Sequence, residues 1–77
     1  MAKFDRTEEG HARAVRYCAD LNRLHGRDYA IVVHREDLSH YSVGLASLVH
    51  KDHVADGTAA NIVDKDQNFT PMFQGDD

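Results

Sequence analysis

Thr7-Glu8-Glu9-Gly10-His11-Ala12-Arg13-Ala14-Val15-Arg16-Tyr17-Cys18-Ala19-Asp20-Leu21-Asn22-Arg23-Leu24-His25-Gly26 is the stretch on which the fold turns. Thr7 can accept the first free amides of a helix, and Glu8 and Glu9 stand where the helix dipole favours anions. Gly26 follows as a residue able to take the left-handed conformation that ends a helix. At about 100° per residue, Ala14, Tyr17, Cys18, Leu21 and Leu24 fall on one arc with Val15 at its edge. Arg13, Arg16, Arg23 and Arg27 gather on the other side, interrupted by Glu9 and Asp20. The pattern predicts an amphipathic helix over residues 7–25.

Downstream, Tyr29 to Arg35 reads as a strand, because Ile31, Val32 and Val33 are β-formers in a short run. The run is apolar at successive positions, so both of its faces should be covered. Glu36-Asp37-Leu38-Ser39 reads as a turn. Residues 40–50 fit two patterns. Tyr41, Val43, Leu45, Ser47 and Val49 alternate as in a strand pairing with 29–35, whereas Leu38, Tyr41, Leu45, Leu48 and Val49 fit helical spacing. Gly44 and the β-branched Val43 and Val49 favour the strand, with a second helix near 39–55 as the alternative. Ala55-Asp56-Gly57-Thr58 looks like a turn, and Asn61-Ile62-Val63 like a short third strand.

These elements predict an α+β fold. One N-terminal helix should pack on a small antiparallel sheet of two or three strands, with Leu21 and Leu24 against Ile31 or Val33. Residues 1–63 would form the single domain and 64–77 an acidic tail. At 77 residues the chain has room for one domain, and a core of that size leaves stability marginal. An exposed sheet edge in so small a domain invites a homodimer or an added strand.

Charge is uneven. Residues 1–50 hold seven basic and seven acidic side chains, while residues 51–77 hold two lysines against six aspartates, which carries the whole net charge of −4. Such a balance offers no general attraction to a phosphate backbone. No apolar run approaches the roughly 20 residues of a membrane helix. The first residues have no signal-peptide stretch, so a cytoplasmic location is expected and the sequon Asn68-Phe69-Thr70 carries no meaning. Cys18 is the single cysteine, which excludes an internal disulfide.

Candidate chemistry is sparse. Six histidines, at 11, 25, 34, 40, 50 and 53, are unusual for this length. His50 and His53 share a helical face if 50–53 is helix, and a hairpin would bring His34 and His40 together, so His34, His40, His50 and His53 form an alternative metal set. A structural zinc site would need a cysteine-rich or cysteine–histidine set at regular spacing, which one cysteine cannot supply. Cys18 lies on the apolar arc without an adjacent base and reads as a core residue. Glu36-Asp37 sits where a turn puts such residues anyway. No hydrolase, zinc-protease, phosphate-loop or dinucleotide motif is present, so neither an enzyme nor a cofactor is expected. Arg13, Arg16, Arg23 and Arg27 form the alternative nucleic-acid face, but without interleaved aromatic residues, and nucleic acid is the disfavoured partner.

The C-terminal segment suits a protein partner best. Phe69, Met72 and Phe73 form an apolar group in an aspartate-rich stretch with Asp64 and Asp66, and aromatic and Met side chains are common interface anchors. The competing explanation is that they fold back and complete the core. The expectation is a small non-enzymatic protein-binding module that regulates or inhibits its partner. Its composition is similar to that of small acidic phage-encoded inhibitors of host or defence machinery.

Overall fold

The computed structural model describes residues 2–33, 38–49 and 59–72. Strand β1 (Ala2–Asp5) leads into helix α1 (Glu8–His25). Strands β2 (Tyr29–Val33) and β3 (His40–Leu45) follow, then a 3₁₀ turn (Ala46–Leu48), β4 (Ala59–Val63) and β5 (Phe69–Pro71). The strands form one antiparallel sheet in the order β1-β3-β2-β4-β5, with α1 packed on one face. This is an α+β fold, with five strands among the described residues where the sequence suggested two or three.

Helix α1 is bounded as its sequence dictates. Thr7 has extended backbone, and its side-chain oxygen accepts from the Gly10 amide at 2.9 Å. Gly26 has φ 67°, and its N–H donates to the Asn22 carbonyl at 2.7 Å. Only glycine holds that backbone without crowding a Cβ. The opening glutamates and the closing Arg23 and His25 complement the helix dipole.

β2 is the central strand and has both faces covered, as its uninterrupted apolar run requires. Ile31 lies opposite Val43 on one side and Asn61 on the other. On the helix side Ile31, Val43 and Val63 pack with Ala14, Val15 and Cys18, flanked by Phe4, Tyr29, Val33 and Tyr41. Each fully buried Val or Ile stabilises by about 1.5–3 kcal/mol, so this cluster is the main apolar support of the fold. Behind the sheet a smaller cluster joins Val32, Val49 and Ala60, with Met72 against it.

The buried helix stripe departs from expectation. Gly10, Ala14, Val15, Cys18 and Ala19 are its buried residues, while Leu21 is only half-buried. Leu24 is 74% exposed and does not pack on Ile31 or Val33. The cause is the close approach of the helix to β1: a Cβ on Gly10 would overlap the Asp5 carbonyl oxygen and lie 2.8 Å from its carbon. Small side chains therefore define the contact line, and the larger leucines are left beyond its C-terminal end.

Residues 40–45 are strand, paired with β2 from Tyr29–Leu45 to Val33–Tyr41. The helical alternative fails over the described residues: β3 is paired on both sides, with β1 and β2, and the buried, β-branched Val43 suits that position better than a helix interior. The alternation of 40–50 stops at Leu45, where the Ala46 amide donates to the Asp28 carbonyl at 2.9 Å and the chain makes its 3₁₀ turn. The short strand expected at 61–63 is β4, paired with β2 and not with β3. The expected turn at 55–58 lies outside the described residues. Residues 69–71 of the expected tail enter the sheet as β5.

Candidate interaction surface

The β4–β5 hairpin begins with a carboxylate. Asp64 accepts the backbone amides of Asp66 and Asn68, each at 2.9 Å on Oδ1. The Gln67 amide donates to the Asp64 carbonyl at 2.9 Å, and the Asp64 amide to the Asn68 carbonyl at 3.1 Å. Gln67 takes φ 66° to close the loop. These bonds describe a three-residue connection: a type I turn followed by a left-handed residue. The Asn68 amide bond is the main reason the Asp64 carboxyl titrates below its ordinary value, and the Asp66 amide adds to it. Asp64 is therefore engaged in shaping the turn, while Asp66 is exposed on it.

The turn delivers Phe69 to the helix side of the sheet, where its ring lies 5.7 Å from that of His11. His11 also meets Tyr41 edge-on at 5.2 Å, and the Arg6 guanidinium stands over the Tyr41 ring at 4.9 Å. Arg6, Tyr41, His11 and Phe69 thus form one continuous strip beside the start of α1. The first three are half-buried, and Phe69 is 46% exposed. Their order follows from the fold: the loop after β1 supplies Arg6, β3 supplies Tyr41, the first turn of α1 supplies His11 and β5 supplies Phe69. A cation over an aromatic face and rings with one open side are the chemistry from which interface anchors are made.

Of the residues expected to meet a partner, Phe69 and Met72 fall on opposite faces of the sheet. Met72 is tied in place by its amide, which donates to the Ala60 carbonyl at 2.9 Å, and it packs with Val32, Val49 and Ala60. Phe73 lies outside the described residues. Arg6, His11 and Tyr41 went unnoticed as a group because no period or motif joins them.

The arginine face is partly neutralised. Arg13 pairs with Glu9 at 3.7 Å and Arg23 with Asp20 at 2.8 Å, all four well exposed. Arg16 and Arg27 are exposed as well. Of the alternative metal set, His34, His50 and His53 lie outside the described residues, and the Nδ1 of His40 sits 3.0 Å from the Ser39 hydroxyl. Among the described residues no group of three or more His, Cys, Asp or Glu comes together to hold an ion.

Cys18 is fully buried in the helix-side core, and burial pushes its thiol up to about 12. A thiol so placed stays protonated at neutral pH and offers no nucleophile. No helix of the described residues is long and apolar enough to cross a membrane. Comparison of the chain with protein-family models, with curated proteins and with solved structures gives no significant match.

Proposed function

We propose that this chain is a small non-enzymatic module that binds another protein, and that the Arg6–Tyr41–His11–Phe69 strip is the contact surface. The observation that carries this reading is Phe69, a large apolar side chain left 46% exposed on an edge strand and backed by His11. Aromatic side chains anchor interfaces because they bury much area at little entropic cost, and arginine because its planar guanidinium stacks on rings and donates several hydrogen bonds. The acidic turn beside the strip, with Asp66 exposed, favours a partner surface that is basic near this point. Regulation or inhibition of that partner, in the manner of small phage-encoded inhibitors, is the activity such a module would have. A cytoplasmic setting accords with it.

The test is capture from lysate of the natural host with native chain and with Phe69→Ala, each with and without nuclease, read by quantitative mass spectrometry. One protein retained by the native chain, resistant to nuclease and lost with Phe69→Ala, is the expected result. Retention indifferent to Phe69, or lost on nuclease treatment, would refute it. The second outcome would return attention to Arg16 and Arg27.

A further inference from the structure

Strand β1 closes one end of the sheet, and among the described residues no strand pairs with its outer side. An open edge normally carries a charge that repels a second strand. Here Lys3 and Asp5 are both exposed on the face away from α1, and Phe4 lies between them on the helix face, 5.3 Å from the Tyr17 ring. Tyr17 itself is 39% exposed on that side of the helix. A groove of about 290 Å³ between β1 and the first turns of α1, rimmed by Glu9 and Arg13, opens in the same place.

Two copies of β1 can meet antiparallel about a two-fold axis normal to the sheet. Directly opposed residues then share a face, so only even registers are allowed. Centring on Lys3 sets lysine against lysine, and centring on Asp5 sets aspartate against aspartate, both unfavourable. Centring on Phe4 sets each Lys3 against the other copy's Asp5 and places the two Phe4 rings side by side, with a Tyr17 beside each. Both charges of the strand are matched in this register and in neither of its neighbours.

From this complementarity we propose that the chain self-associates through β1, with Phe4 on the two-fold axis and Lys3–Asp5 pairs across it. The product is a ten-stranded sheet with both helices on one face. The β4–β5 hairpins, and Phe69 with them, lie at its far ends, whereas Arg6 and Tyr41 stand close to the new contact. Four residues of strand make a small contact, and the association is weak, with Kd on the order of 0.1 mM.

Sedimentation equilibrium of the full chain, from about 10 μM to about 1 mM, tests the proposal. The apparent mass of native protein should rise towards twice that of the chain. Lys3→Asp opposes two carboxylates and should weaken association about tenfold, while the swap Lys3→Asp with Asp5→Lys should restore it to within about threefold. Circular dichroism checks that both variants fold. Amide exchange of native β1, which needs no variant, should slow as concentration rises. A monomer at every concentration overturns the proposal and leaves this edge to a strand of another protein. A dimer indifferent to Lys3→Asp, or weakened equally by the swap, overturns it by placing the contact elsewhere.

Discussion

Replacing Gly10 by Ala sets two effects of opposite sign against each other. Ala is favoured over Gly inside a helix by about 0.8–1.0 kcal/mol, so propensity alone predicts stabilisation. The new Cβ, however, would overlap the Asp5 carbonyl oxygen and press within 3.0 Å of the Asp5 nitrogen. These are backbone atoms of a paired strand and cannot move aside as a flexible side chain can. Inserted methyl groups that force backbone shifts cost about 1–3 kcal/mol, occasionally more, and contact with backbone puts this site at the upper end. The net expectation is destabilisation by about 2 kcal/mol. For a domain of this size that lowers Tm by roughly 8–16 °C, and about 2 kcal/mol is a large share of a total stability of about 4–12 kcal/mol. Urea unfolding followed by circular dichroism should show a lower midpoint with unchanged slope. Ala12→Gly, at an exposed position two residues away, isolates the propensity term and should cost about 1 kcal/mol. A Gly10→Ala variant as stable as the native chain, or more so, would refute the close seating of α1 on β1. With it would fall the explanation of why small residues line the helix.

Other expectations follow from single groups. Gln67→Gly should stabilise by about 1 kcal/mol, because the left-handed backbone there crowds any side chain; a loss of stability in chemical denaturation would contradict the turn. Asp64 titrates lower in the folded chain than in the unfolded one. Its contribution is therefore complete above the unfolded carboxyl value and fades as pH falls through the folded one. The stability difference between native chain and Asp64→Asn should shrink between about pH 5 and about pH 3, and a pH-independent difference in parallel melts would rule this out. Cys18 should react with a thiol reagent at neutral pH only as fast as the chain opens, so urea should accelerate labelling sharply; rapid labelling of the folded chain would show that the thiol is not enclosed.

Much of the fold was legible because the signals were local. Thr7 and Gly26 bracket α1 through bonds reaching three or four residues, and the run Ile31-Val32-Val33 announces a strand covered on both sides. β1 and β5 were not legible. Ala2–Asp5 and Phe69–Pro71 are four and three residues long, too short to show a period, and both are strands because the neighbours β3 and β4 present backbone groups to them. The proposed interaction strip was legible only at Phe69. Arg6, His11 and Tyr41 are ordinary residues of a loop, a helix and a strand, made neighbours of one another by the crossing of α1 over the sheet.

The sequence by itself determined the helix with its two ends, the central strand, the buried cysteine and the acidic C-terminal third, since each depends on residue type and near neighbours. Tertiary structure alone decided which helix side chains are buried. Leu24 belongs to the apolar arc yet stands in solvent, whereas Gly10 and Ala19 lie in the contact. Periodicity gives the direction of a helix face, but the distance of closest approach selects the residues that touch, and that distance was set by Asp5, on a strand the pattern did not show.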